Sequence, residues 1–409
     1  MSSSTQSTIK VRFAPSPTGV LHVGSIRTAL FDYFFARSNN GKFILRNEDT
    51  DQVRKVEGAL EATLDSFRWL GVEWDDLVTQ SERLDHYKKY AEQLVNEGKA
   101  REEDGAIRFI VSKNGTTKWN DLIGDKEISF ENSAIEDFII LKKDGFPTYH
   151  LANVVDDHMM EISHVIRGED WIPSTPKHIM LYESFGWQHP VFVHVPNVMG
   201  IDNKKLSKRR GAKSVLDFRN EGILSEALLN YLMLLGWTPK NDKEILSKEE
   251  IEKEFRLEDV HVSPAVFDER KLGWMNGEYI RSFDNEELLK RLTDFDNSIS
   301  NFDSDLIKKL IEPAKTRMKS LGDFKQMVEP FFEKNQKGEE KIRDYLYNSL
   351  SDIKDWNKET IIEKLKQVVN SKGVRFQDIY EAVIGARQGL PLGDVFEILG
   401  KDRTLSLLK

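Results

Sequence analysis

An α/β fold built on a parallel sheet and continued by an all-α C-terminal portion is predicted for this 409-residue chain by three observations. Ile9, Val11 and Phe13 alternate with Lys10 and Arg12 as a half-buried strand does, and Val23, Ile26, Leu30, Tyr33 and Phe34 then recur at helical spacing. The change of period repeats: Phe43 to Arg46 reads as a second strand, and Val53, Val56, Leu60, Phe67 and Leu70 as one face of a second helix. Beyond Ile280 no strand pattern is found, and Asn285 to Lys409 reads as a series of helices. Strand, helix, strand, helix implies right-handed crossovers and a Rossmann-like half, whose ligands lie outside the carboxyl ends of the strands.

Between the first strand and helix, Pro15-Ser16-Pro17-Thr18-Gly19 stiffens the turn without side-chain bulk. The helix that follows aims its free N–H groups and positive dipole end above the strand, where an anion is stabilised. Asn39-Asn40-Gly41 stops that helix, and Gly71 closes the next. From about His86 to Asp144 the pattern is irregular, with Gly98, Gly105, Gly115 and Gly124 between short strands such as Ile107 to Val111 and Phe138 to Leu141, which reads as an inserted α+β segment. The sheet is expected to resume with strands at Tyr149 to Val155, around Val165-Ile166 and at Val191 to Val195, the last two linked by a helix from Pro176 to Phe185. Further helices are expected at Ile223 to Leu235 and Lys248 to Phe255.

Charged residues make up 31% of the chain and no apolar run approaches membrane-spanning length, so a soluble protein without a membrane partner is predicted. Met1 to Thr8 is rich in Ser and Thr but carries no cation and no apolar stretch, which predicts a disordered tail, not a targeting peptide, and a cytoplasmic location. The absence of cysteine excludes disulfides and thiolate catalysis. A structural zinc would have to rest on histidines and carboxylates, and none is expected. Net charge is -9, yet six cations fall between Lys204 and Lys213, so a basic surface for an anionic partner is compatible with the acidic total.

A His22-Val23-Gly24 step after a strand is weak by itself, because most such histidines cap or pack. Far along the chain, Lys204-Lys205-Leu206-Ser207-Lys208-Arg209-Arg210-Gly211 sets five cations around a Ser/Gly frame, which alone reads as a solvated basic loop. Together, Ala14 to Ser25 and Lys205 to Arg209 resemble the two signature sequences of class I aminoacyl-tRNA synthetases, and within that class the bacterial-type glutamyl-tRNA synthetases. Arg46 to Asp51, Pro147 to His158 and Val165 to Trp171 extend the likeness in the family's order. It runs on through Trp274-Met275-Asn276-Gly277 to Phe396-Glu397-Ile398-Leu399-Gly400. The resemblance implies a Rossmann-like catalytic domain in two halves (1–85 and 146–200), an inserted acceptor-end domain (86–145), a stem-contact domain carrying the Lys-Leu-Ser-Lys-Arg loop (201–284) and a helical anticodon-binding bundle (285–409). The insertion is shorter than the family's usual one, because Glu97-Gly98-Lys99-Ala100 passes almost directly to Ala106-Ile107-Arg108-Phe109, omitting a stretch that binds zinc in some relatives.

The implied reaction joins glutamate to ATP and then to the terminal adenosine of tRNA(Glu), in a protein that acts as a monomer. Neither step needs a protein nucleophile, so positioning and neutralisation of phosphate charge dominate. The resemblance assigns catalysis to His22, Lys205 and Lys208 and extends ATP binding to Gly24, Arg54, Glu169, Trp171 and Ser207, with Gly24 leaving room for the adenosine and Mg2+ arriving with ATP. Arg12 and Arg167 would clamp the glutamate side-chain carboxylate, a task guanidinium forks suit better than lysine. Glu48 would face the ammonium, with Tyr149, Asn153, Ala14 and Ser16 adding contacts. Singly, each has a structural reading: Arg12 on a strand edge, Glu48 as a helix cap, Tyr149 as core.

His150 and His158 with Asp156 and Asp157 invite a metal reading, which is rejected on the expectation that His150 sits on a strand facing away from Tyr149 and that the carboxylates cap the next segment. A close alternative, a synthetase-like enzyme that glutamylates a modified tRNA base, resembles only the catalytic half, and one from a different enzyme class, a cofactor-making nucleotidyltransferase, shares the strand-to-helix turn but lacks the Lys-Leu-Ser-Lys-Arg loop and the anticodon domain. The helical portion after Asn285 speaks against both, and intact His22, Lys208, Arg12 and Glu48 against a non-catalytic tRNA-binding paralogue. Family members confined to glutamate tRNA read the last anticodon base with an arginine, whereas Ser349 to Trp356, which corresponds here, has none, leaving Arg343 and Arg375 as alternatives. Weakened discrimination between C and U extends the expected substrates to tRNA(Gln).

Overall fold

The computed structural model describes residues 8–206, 213–332 and 339–409. It forms two compact units, Met1–Asp217 with Leu228–Asp268, and Phe218–Ala227 with Glu269–Lys409. Among the described residues no helix is long and apolar enough to cross a membrane.

The first unit is organised by parallel strands: β1 (Lys10–Phe13), β2 (Lys42–Asn47) and β3 (Asp76–Thr79), with Phe13 opposite Leu45 and Asn47 opposite Thr79. Helices α1 (Val23–Ser38) and α2 (Ala59–Trp69) cross between them. On the other side of β1 lies β9 (His164–Gly168), where Ser163 N donates to Lys10 O at 2.9 Å, and β10 (Val191–Val195) pairs parallel to β9 through helix α5 (Thr175–Phe185). The strand order thus reverses between β1 and β9, so the chain leaves β1 in one direction and β9 in the other. A crevice opens at such a switch point.

Between α3 (Leu84–Asn96) and α4 (Tyr149–Met159) the insertion is antiparallel. Strands β4 (Ala100–Glu103), β5 (Ala106–Phe109) and β8 (Phe138–Leu141) form one sheet, and β6 (Thr116–Asp121) with β7 (Lys126–Glu131) forms a hairpin. The β4–β5 turn is Asp104-Gly105, both left-handed (φ 51° and 80°), the twist a two-residue hairpin needs. It occupies the place where the sequence is shorter than its likeness.

Two expectations need correction. Tyr149 to Val155 is the start of α4, not a strand: Leu151 through Asp157 are all buried, and a helix enclosed on every side loses the polar face that would reveal its period. The second helix starts at Ala59, after Gly58 at φ 76°, so Val53 and Val56 lie outside it, Val53 95% exposed. The helix expected over Ile223 to Leu235 is present as Ser225–Leu234, preceded by a separate short helix, Val215–Asn220.

The second unit is helical, from Glu269–Ser282 to Lys401–Leu408. Leu288, Leu292, Ile307, Leu310, Phe324, Leu346, Leu365 and Phe396 belong to one apolar core, so the expectation of helices without strands after Ile280 holds among the described residues.

Candidate active site

At the carboxyl ends of β1 and β9 is a cavity of about 590 Å³. Its first wall is the proline-rich turn, tied to the end of β2 by Glu48 N donating to Pro15 O at 3.0 Å. The turn delivers the chain to α1 through His22, which is the N-cap and not a first-turn residue: its Nδ1 accepts from Gly24 N at 3.1 Å and Ser25 N at 3.4 Å. With Nδ1 accepting, the imidazole proton sits on Nε2, which meets Ser25 Oγ at 3.3 Å and is the ring nitrogen able to donate to an anion. A Cβ on Gly24 would meet the His22 ring at 3.1 Å, so the immediate reason for this glycine is the capping ring beside it.

The floor is a buried ion network. Arg12, on β1, donates from Nε to Asp157 Oδ1 at 2.9 Å and from Nη2 to Oδ2 at 3.4 Å. Arg46, on β2 and fully buried, reaches the same Asp157 at 2.6 Å and Glu48 Oε1 at 2.9 Å. Asn153 also reaches Glu48 Oε1, at 3.4 Å. Burial favours the protonated form of Asp157, but Arg12 and Arg46 outweigh it and hold its pKa below the usual carboxylate value. Burial raises that of Glu48, against the pull of the same arginines. Asp156, adjacent to Asp157, takes Gln80, Arg83 and Tyr87 at 2.9, 2.9 and 2.7 Å. These two carboxylates are therefore buried anchors inside α4, not caps of a following segment.

Arg167, on β9, is held differently. Its guanidinium meets His194 Nε2 at 3.2 Å, Tyr149 Oη at 3.3 Å, His178 Nδ1 at 3.2 Å, Thr175 Oγ1 at 2.7 Å and Trp171 O at 3.5 Å. All five are neutral acceptors, and burial lowers the Arg167 pKa from its ordinary value. Of Arg12, Arg46 and Arg167, set against Asp157 and Glu48, Arg167 is the one left without a carboxylate; Arg27, buried in the wall of the same cavity, also donates to carbonyls, Leu235 O and Pro196 O. The pocket is thus built for an anion, in surroundings where a full charge interaction is weakly screened.

Most residues expected at the site line this cavity: Arg12, Ala14, Ser16, His22, Gly24, Glu48, Tyr149, Asn153, Arg167, Trp171 and Lys205. The Tyr149 and Trp171 rings lie 4.4 Å apart at 34°. Lys205 is paired with Asp170, and burial lowers its pKa. Arg54 is not among the lining residues; its side chain is 74% exposed and pairs with Asp51 at 2.6 Å, within its own turn. Glu169 is also outside, its Oε1 accepting from Asn197 N at 2.9 Å. Ser207 and Lys208 lie outside the described residues. His150 and His158 part company on α4: His150 Nδ1 meets His178 Nε2 at 3.1 Å, while His158 stacks on Trp187 at 3.7 Å. Sequence reasoning missed Arg46, Asp157, Asp121, His178 and His194 as functional groups. Arg46 and Asp157 lay inside stretches that carry the family likeness without a role assigned to them, and the signal of the other three was a polar residue among apolar ones.

A cavity at the switch point of a parallel sheet, with a histidine-capped helix on one side and a clamp for an anion on the other, has the architecture of a class I aminoacyl-tRNA synthetase. A family model described as tRNA synthetases class I (E and Q), catalytic domain, matches residues 8–104 and 99–274, and one described as anticodon binding domain matches 286–409. The chain belongs to this glutamate and glutamine group of class I tRNA synthetases. It is 39% identical to glutamate–tRNA ligase 2 of Thermoanaerobacter pseudethanolicus and 36% identical to glutamate–tRNA ligase of Clostridioides difficile, covering 98% and 97% of this chain and 98% of each relative. A crystal structure of a glutamate tRNA ligase from Elizabethkingia meningosepticum, in complex with its amino acid, is similar at 30% identity and a TM-score of 0.84 over 98% of both chains. The alignment with the first relative runs over 469 positions against 409 residues here, so that relative carries residues this chain lacks. The two catalytic matches meet at 99–104, the β4–β5 hairpin.

Proposed function

We infer that the chain is a glutamate–tRNA ligase. The glutamate α-carboxylate attacks the α-phosphate of ATP and displaces pyrophosphate; a ribose hydroxyl of the tRNA's terminal adenosine then takes the glutamyl group and AMP leaves. The observation that carries this reading is the buried Arg167, a cation ringed by neutral acceptors at the edge of a 590 Å³ cavity. A γ-carboxylate supplies the missing charge, whereas an amide would leave a buried cation without one. Glu48 would receive the ammonium, and His22 Nε2, at the N-terminus of α1, would donate to a phosphate oxygen. Lys205 would leave Asp170 for the triphosphate, Lys208 would stabilise the transition state, and Mg2+ would enter on ATP, held by phosphates and water. Incubation with radiolabelled glutamate, ATP and total tRNA tests this: base-labile, acid-precipitable label is expected, and base-stable label or none contradicts it.

The trimmed insertion would meet the acceptor end and the helical unit the anticodon, in a cytoplasmic monomer. The stretch proposed to face the last anticodon base begins in the helix Glu340–Ser351, and Lys401 Nζ holds Ser351 O and Ile353 O at 2.8 and 2.6 Å. Arg375 is occupied by Asp378 at 2.8 Å. A lysine in place of a guanidinium fork supports acceptance of tRNA(Gln) beside tRNA(Glu). Measured side by side on both transcripts, a preference above about a hundredfold for tRNA(Glu) excludes it.

A further inference from the structure

Arg167 is gripped from behind by a residue of the insertion. At the end of β6, Asp121 Oδ1 accepts from the backbone N of His194 at 3.1 Å, and its Oδ2 receives the His194 ring at Nδ1. The opposite ring nitrogen, Nε2, faces Arg167 Nε at 3.2 Å and Thr175 Oγ1 at 3.2 Å. Asp121 and His194 are 3% and 5% exposed, and β6 is joined to β10 through Leu122 N and Phe192 O at 3.2 Å. A guanidinium N–H only donates, so His194 Nε2 must carry a lone pair, and its proton must be on Nδ1. Asp121 enforces that arrangement. Were the proton on Nε2, two N–H groups would oppose each other and Arg167 would turn away. The same logic extends to His178, whose Nδ1 accepts from Arg167 while Nε2 faces His150.

We propose that Asp121 and His194 are a positioning pair: the insertion sets the tautomer of His194, and that tautomer fixes Arg167 to receive the substrate carboxylate. This rests on the glutamate reading of the pocket. His194 holds Nε, while the Nη groups keep the long contacts to Tyr149 and Trp171, at 3.3 and 3.5 Å, that a carboxylate displaces most readily. Burial keeps His194 and His178 below their ordinary pKa values, consistent with neutral acceptors beside a guanidinium.

In Asp121→Asn, an amide N–H replaces one acceptor oxygen. The side chain either abandons the His194 backbone N–H or donates to Nδ1 and flips the tautomer. Asp121→Asn is expected to raise the glutamate KM about tenfold or more while leaving the ATP KM within about twofold. His194→Gln offers Arg167 a carbonyl oxygen with no tautomer to set, so adding Asp121→Asn to it should change the glutamate KM less than about twofold. An equal cost of Asp121→Asn in both backgrounds makes the carboxylate a structural anchor and overturns the proposal. Nitrogen NMR of histidine-labelled wild type reads the same point without a variant: a protonated Nδ1 on His194 is expected, and a protonated Nε2 contradicts it. If Arg167→Ala itself leaves the glutamate KM unchanged, the pocket reading fails. If Arg167→Ala raises it and Asp121→Asn does not, only the positioning pair fails.

Discussion

Helix α4 in the sheet unit and the helices Glu340–Ser351 and Lys358–Lys372 in the helical unit are of similar length but bury different chemistry. The two later helices bury Ile342, Leu346 and Leu350, and Ile361, Leu365 and Val368, and leave the rest half-buried or exposed. Helix α4 buries Asn153, Asp156 and Asp157 among Leu151, Val154 and Val155. Transfer of apolar surface explains the first pattern at about 25 cal/mol per Å². It cannot explain the second, since a buried ion pair is often no more stable than an apolar replacement of the same shape. On the proposed function, the buried charge of the sheet unit serves to receive an ionic ligand, and the ions set the geometry that would receive it.

Removal of Arg46 sharpens the contrast most. Arg46→Ala strands Glu48 and half of the Asp157 pairing, and a loss of about 3 to 5 kcal/mol in chemical denaturation is expected. Its counterpart, Leu346→Ala, opens a cavity in the helical core and is expected to cost about 3 kcal/mol with no change in the glutamate KM. If Arg46→Ala costs no more than an exposed pair, the ion network is not buried as described.

Arg167→Ala separates structure from reception. It strands no carboxylate, so its stability cost should fall well below that of Arg46→Ala, while the glutamate KM rises on the order of a hundredfold and the ATP KM is spared. Equal weakening of both substrates points to misfolding.

Asp32 tests burial without a partner. It lies on α1, 0% exposed, with neither carboxylate oxygen hydrogen-bonded, and burial raises its pKa well above the ordinary value. The folded form therefore binds the proton more tightly than the unfolded one. Its contribution is fully present below the unfolded pKa of about 4 and is lost as pH rises through the folded value. Asp32→Asn has no such loss, so its stability relative to wild type should increase from pH 4 to pH 8. A pH-independent difference means Asp32 is ionised and solvated. The smallest effect belongs to Arg54→Ala, which removes an exposed i,i+3 pair: under about 1 kcal/mol of stability and no change in ATP KM.

What could be read from the chain follows the same division. The apolar helices of the second unit follow periodicities with one wet face; strand β1 and helix α1 are buried through Val11–Phe13 and Ala29–Ala36, but the alternation with Lys10 and Arg12 and the 16-residue length of α1 still made them legible. Helix α4 was not, because it has no wet face and its Val154-Val155 pair favours a strand. The pocket residues named by motif lie together, yet the partners that orient them do not sit near them in sequence: Asp157 is 145 residues from Arg12, and Asp121 is 73 from His194. Arg54 and Glu169 were assigned to the nucleotide by likeness alone: Arg54 pairs within its own turn, whereas Glu169, bonded to Asn197 N, lies close enough to Arg27 and Lys205 of the cavity wall to favour their charged forms.

The central claim is that a buried cation held by neutral groups, Arg167, selects an amino acid with an anionic side chain. Comparison of kcat/KM for glutamate and glutamine in aminoacylation of the same tRNA transcript tests it most directly. A ratio on the order of 10⁴ or more is expected from a site whose charged group is left unmatched by the amide. A ratio below about ten would contradict it, showing that Arg167 is satisfied by its neutral neighbours and takes no part in selection.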